Sequence, residues 1–127
     1  MVNVLQNIGD ALLVNVSPQI NGTIQFNSFT ESLIGLTANR TVEREFRILN
    51  NSVFWSEWKP LTNANLSAQT YYVDNTITLQ VRYTRTGSDA SGVIEFQDIQ
   101  IQGVRLADAT PMIARSEERR VGKECRS

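Results

Sequence analysis

Thr76-Ile-Thr-Leu-Gln-Val-Arg-Tyr-Thr-Arg85 alternates without a break, with Ile77, Leu79, Val81 and Tyr83 on one parity and Thr78, Gln80, Arg82 and Thr84 on the other. Successive side chains of an extended chain point to opposite faces, so this spacing predicts a half-buried strand. One face meets a core and the other meets water. That is the pattern of an antiparallel sheet, because parallel sheets are covered on both sides.

Downstream, Thr86-Gly-Ser-Asp-Ala-Ser-Gly92 collects turn formers before Val93-Ile-Glu-Phe-Gln-Asp-Ile-Gln-Ile-Gln102 resumes strand character, which predicts a hairpin. Ile94 and Phe96 share one parity while Ile99 and Ile101 share the other. A β-bulge around Gln97 and Asp98 keeps all four inside. Upstream, Thr41-Val-Glu-Arg-Glu-Phe-Arg-Ile-Leu49 sets Val42, Phe46 and Ile48 against Glu43, Glu45 and Arg47. Arg44 falls on the apolar side, and is expected near the strand's end, where its long stem reaches water.

Asn50-Asn51-Ser52 then supplies a turn, and Val53-Phe-Trp-Ser-Glu-Trp-Lys59 returns as a strand that stops at Pro60. Residues 11–16 and 20–26 read as further strands, the second entered through Asn21-Gly22, and residues 30–37 as a short one. Residues 60–75 read as a loop with a short helical turn over 63–68. Apolar residues nowhere recur at helical spacing over three turns. About seven short strands between turn signals predict an all-β fold, a two-sheet antiparallel β-sandwich of immunoglobulin or fibronectin type III kind, with a jelly roll as the alternative.

The chain has 127 residues, 41% hydrophobic and 20% charged, a composition suited to one globular core. Its last stretch, Arg115-Ser-Glu-Glu-Arg-Arg-Val-Gly-Lys-Glu-Cys-Arg-Ser127, is charged and lacks strand periodicity. Back-translated, it resembles one reading frame of a sequencing-library adapter. Residues 1–114 are therefore expected to form a single β-sandwich domain and residues 115–127 a non-native, disordered tail. The tail holds the lone cysteine, Cys125, with five of the 12 Lys+Arg and three of the 13 Asp+Glu. Seven cations and ten anions remain, a net of −3, which disfavours binding to nucleic acid.

No cationic, apolar signal opens the chain, and the longest apolar run, Ala11-Leu-Leu-Val14, is far too short to span a bilayer. Synthesis in a cytoplasm without membrane association is the expectation. The Asn-x-Ser/Thr triplets at Asn15, Asn21, Asn39, Asn50 and Asn65 then follow from composition rather than glycosylation.

The chain has no histidine, and residues 1–114 have no cysteine, which removes the usual general base, thiol nucleophile and transition-metal ligands. No Gly-x-Ser-x-Gly is present. Glu57, Glu95 and Asp98 are glycosidase-type carboxylates by residue type alone, and Glu43, Glu45, Glu57 and Glu95 fit solvent-facing strand positions. Asp89 and nearby carbonyls suit a calcium ion, but the run lacks an EF-hand pattern. No catalysis, cofactor or metal is expected. The informative side chains are Trp55, Trp58, Tyr71 and Tyr72, aromatics suited to a protein contact, to the core or to stacking on a glycan. On a continuous strand Trp55 and Trp58 point to opposite faces.

The segments Glu45-Phe-Arg-Ile-Leu-Asn-Asn-Ser-Val-Phe-Trp-Ser-Glu-Trp-Lys-Pro-Leu-Thr62, Asn65-Leu66, Val81-Arg-Tyr-Thr-Arg-Thr-Gly87 and Gly92-Val-Ile-Glu-Phe96 resemble modules in structural proteins of tailed bacteriophages, of the neck, tail or baseplate type. The resemblance covers about residues 40–102, and residues 1–39 share in no such likeness. It implies a virion component made in the host cytoplasm, acting by contact with other virion proteins and with copies of itself. A carbohydrate-binding module is the alternative, since similar Trp-Ser segments occur in such domains.

Overall fold

A computed structural model of the chain describes residues 3–50, 54–68, 70–73 and 77–116; within these, side chains are described except at 50, 54, 55 and 71–73. The strands are β1 (Val4–Leu5), β2 (Ala11–Pro18), β3 (Gly22–Ile34), β4 (Arg40–Asn50), β5 (Phe54–Trp55), β6 (Lys59–Pro60), β7 (Thr70–Val73), β8 (Ile77–Gly87), β9 (Ile94–Arg105) and β10 (Thr110–Ser116). Among the described residues one short helix joins them, α1 (Asn63–Ser67). Every ladder is antiparallel, and the fold is all-β.

The strand order is β5-β4-β8-β2-β10-β9-β3-β7, with β1 beside β9 and β6 beside β4. The path narrows at one seam, where β2 and β10 pair only over 16–18 against 114–116. Side chains from both sides of the seam, such as Val16, Phe46 and Leu79 on one and Phe26, Ile99 and Met112 on the other, share one core. The sheet is therefore rolled over, its two halves facing each other.

The alternation in β8 holds: Ile77, Leu79, Val81 and Tyr83 are all buried. The hairpin expected between β8 and β9 does not form, because β8 pairs with β2 and β4 while β9 pairs with β1, β3 and β10. Their apolar faces meet across the core instead, with the Tyr83 and Phe96 ring centroids 5.5 Å apart. Turn formers specify a reversal of direction and leave open whether the returning strand lies beside the first or opposite it.

Two bulges in the β3–β9 ladder set the rest of the core. Ser32 faces Asp98 and Leu33 faces Phe96, so Gln97 is the extra residue, and Ile94, Phe96, Ile99 and Ile101 are all buried as the parity required. The second bulge falls on β3, where Phe26 faces Gly103 and Ser28 faces Gln102, leaving Asn27 over. It fuses the expected strands 20–26 and 30–37 into one of 13 residues and turns Phe29, Glu31 and Leu33 inward.

An inward Glu31 explains Arg44, which lies inside β4 rather than near its end. Arg44 Nε donates to both Glu31 oxygens at 2.9 and 2.8 Å, Arg44 Nη2 also donates to Glu31, and the Tyr83 hydroxyl donates to Glu31 Oε1 at 2.8 Å. A carboxylate delivered by the facing half replaces the water that the guanidinium was expected to reach.

Beside this pair the 59–68 segment crosses from β4 to β3. Leu61 N donates to Arg44 O at 3.0 Å, Thr62 Oγ1 caps α1 by accepting from Asn65 N at 3.0 Å, and Leu66 is fully buried. The far end docks on the bulged strand, where Ser67 Oγ donates to Asn27 O at 3.3 Å. The helical turn thus forms as expected, but the sequence beyond it does not stay a loop: residues 70–73 pair with β3 as β7. Strand β10 runs through Arg115 and Ser116, whose hydroxyl donates to Asp98 Oδ1 at 2.8 Å. Residues 117–127 lie outside the described ones.

Glu31→Ala should lower the unfolding free energy by about 2 kcal/mol in urea titrations, less than a fully buried pair because both partners keep some contact with water. Burial, followed by the Glu31 carboxylate, pushes the Tyr83 phenol well above its ordinary value of 10.0. The fold then keeps Tyr83 neutral while the unfolded chain ionises it, so this part of the stability is intact below pH ~10 and falls as pH rises beyond it. Thermal unfolding of Tyr83→Phe should show a shallower alkaline decline than the parent.

Candidate functional site

The inward parity of β8 does not stop at Tyr83. It continues to Arg85, whose side chain is fully buried. A cation taken out of water costs several kcal/mol unless acceptors surround it. Here they are backbone carbonyls: Nη1 donates to Leu5 O, Gln6 O and Gly92 O at 3.0, 2.7 and 2.9 Å, and Nη2 to Asp89 O and Ser91 O at 2.9 and 2.8 Å. One side chain thereby ties the 6–10 loop to the 88–93 loop. The 35–39 loop opens at the same end of the sheet and is fastened by Arg40. Its Nη1 donates to Gly35 O at 2.9 Å and its Nη2 to Asp89 Oδ2 at 3.2 Å and Ser91 Oγ at 3.3 Å.

Asp89 completes the lock. Its Oδ1 accepts from Ser91 N and Ser91 Oγ at 2.9 and 2.6 Å. Those hydrogen bonds, with the nearby Arg40 charge, hold the carboxyl below its ordinary value. Asn39 O accepts from Ser88 N and Asp89 N, both at 3.0 Å, and a Cβ on Gly87 would come within 2.2 Å of that oxygen. Gly87 also has a φ of +96°, so the crossing of these two loops requires glycine twice over. The carbonyls that a calcium ion at Asp89 would use face Arg85 instead, and among the described residues no cluster of three or more Asp, Glu, Cys or His is placed to hold a metal.

The locked loops present apolar side chains to solvent. Ile8, Leu36 and Val93 are 47%, 40% and 44% exposed, and Ile34 at the end of β3 is 50% exposed. Grouped exposure of this kind marks contact surfaces more often than scattered single residues do.

The four aromatics singled out in the sequence come from three segments of the chain. Trp55 lies in β5 opposite Leu49, at one end of the strand order, while Tyr71 and Tyr72 lie in β7 opposite Ile24 and Thr23, at the other. The side chains of these three are outside the described ones. Trp58 is described, and a bulge places it. Ser56 N donates to Ile48 O at 3.0 Å while Ser56 Oγ accepts from Ile48 N at 2.9 Å, and Lys59 already faces Phe46. Glu57 and Trp58 thus both stand opposite Arg47, so the expected single strand is split into β5 and β6, the second of which ends at Pro60.

The half-buried Trp58 ring lies 4.2 Å from the guanidinium carbons of both Arg47 and Arg82. Arg82 also pairs with Glu45, and Arg47 Nη2 donates to Gln80 Oε1 at 3.0 Å, so the indole belongs to a charged network on the outer face of β4 and β8. With two cations against it, the ring offers little free surface to a sugar. Of the carboxylates of interest, Glu57 is exposed in the link between β5 and β6, Glu95 is exposed on β9, and Asp98 accepts from Ser116.

Sequence reading missed the loop lock, although the parity signal at Arg85 was present. Arg85→Met, which keeps an unbranched stem but removes every donor, should cost about 3 kcal/mol in urea unfolding, with a smaller loss for Arg85→Lys. No helix among the described residues is long and apolar enough to cross a membrane. No protein-family model, curated protein or solved structure matches the chain.

Proposed function

We propose that this chain is a structural module of a tailed-phage particle, of the neck, tail or baseplate type, working through protein–protein contacts and not through catalysis. The observation that carries the reading is the loop end, where Ile8, Ile34, Leu36 and Val93 are exposed around a backbone fixed by Arg85 and Arg40. Apolar side chains on preorganised loops dock with little further loss of conformational entropy, which suits an assembly contact. The sequence resemblance over residues 40–102 supplies the particle. The partners are other virion proteins and further copies of this chain, with no nucleic acid, membrane or cofactor involved.

The fold we assign is the two-layer immunoglobulin or fibronectin type III sandwich, with β5-β4-β8-β2 as one layer and β10-β9-β3-β7 as the other. The three-residue seam between β2 and β10 supports that division, and a jelly roll is the alternative.

The double variant Leu36→Asp/Val93→Asp should keep the parent's urea midpoint, since both side chains lie in solvent, yet lose co-sedimentation with phage particles. Retention on the particle, or mass spectra of purified particles lacking this polypeptide, would count against the reading. Glycan-array binding that disappears in Trp55→Ala or Trp58→Ala would transfer the assignment to a carbohydrate-binding module.

A further inference from the structure

Strand β1 occupies an unusual berth. Among the described residues its ladder joins β9 alone, through Val4 opposite Glu95 and Leu5 opposite Ile94, with Phe96 N donating to Asn3 O at 2.8 Å. Because β3 covers the other side of β9, β1 shares the β10 side, lying further along it than β10, which pairs over 100–105. Across the gap, β2 meets β10 only at 16–18, and among the described residues no ladder joins its 11–15 stretch to β1. A slot bounded by two long strands is thus filled by a strand of two residues.

Its occupant is nevertheless indispensable. Leu5 is buried in the core, and Leu5 O and Gln6 O are two of the five acceptors around the Arg85 guanidinium. If β1 left, the core would open and a fully buried cation would lose part of its shell, so the slot cannot stay empty. A replacement must bring an apolar side chain followed by two carbonyls in the same register. The Val4-Leu5-Gln6 segment of a second copy does this with no new contact, which is the condition for strand exchange between identical chains. The turn that must open for β1 to swing out is exposed over residues 6–9 and is closed by few bonds, Gln6 N and Asn7 N donating to Asp10 Oδ2 at 3.1 and 2.9 Å and Gly9 N to Arg85 O at 2.9 Å, so exchange has to release these along with the grip on Gln6 O before a neighbour's berth restores that grip.

We propose that β1 is exchanged between copies of this chain, each berth accepting the Val4–Leu5 strand of a neighbour. The proposal takes from the particle reading only the crowding of copies, which raises the effective concentration of the incoming strand.

The test mixes two full-length chains in a Cys125→Ser background, one carrying Val4→Cys and the other Glu95→Cys, under mild oxidation. Opposed residues of an antiparallel pair lie within disulfide reach. Exchange predicts a mixed disulfide dimer well above the roughly half share that random collision of two thiols gives. The single chain bearing both cysteines is the control, and at high dilution it should close internally. Internal closure without excess mixed dimer would overturn exchange, as would failure of the control to close, which would mean that Val4 and Glu95 are not opposed. A chain that stays closed but still sediments with particles would reject the exchange and leave the particle reading standing.

Discussion

A strand has two faces, and one residue too many turns over every side chain that follows. That constraint organises the molecule through three bulges. The extra residue at Gln97 lets Ile94 and Phe96 point the same way as Ile99 and Ile101. The one at Asn27 turns Glu31 toward the interior, where it meets Arg44 and Tyr83. The third, opposite Arg47, sends Trp58 onto the outer charged face. Without these shifts, alternation alone would carry Ile99 and Ile101 into solvent and leave Arg44 without a carboxylate.

Two arginines share the inward parity of neighbouring strands, and their charges are met in different ways. Arg44 is answered by a carboxylate from the facing half, a pair that retains some contact with water. Arg85 is answered by five neutral carbonyls from two loops and has no such contact. The first joins the halves of the sheet, and its strength depends on a titratable partner. The second fixes loops, and its acceptors do not titrate.

The all-β character, the buried side of β8 and the bulge in β9 were legible because each rests on a period of two over many residues. The lateral neighbours of the strands were not. Residues 86–92 look like hairpin material, yet β8 and β9 face each other, a distinction that depends on which strands compete for each edge. β7 and β10 escaped notice for a local reason: Thr70–Val73 pairs on one side only, and Thr110–Ser116 contains Pro111 and too few alternations to stand out. Trp58 was recognisable as unusual, but its stacking on two guanidinium groups required the bulge. Arg85 was readable from parity, whereas its carbonyl shell was not, since carbonyls leave no mark in a sequence.

A clamp that grips only main-chain oxygens is indifferent to the lettering of the segments it grips. Side chains such as Gln6, Ile8 and Val93 are thus free to drift while the frame beneath them stays put. The outer lettering of this end can therefore change without renegotiating the fold.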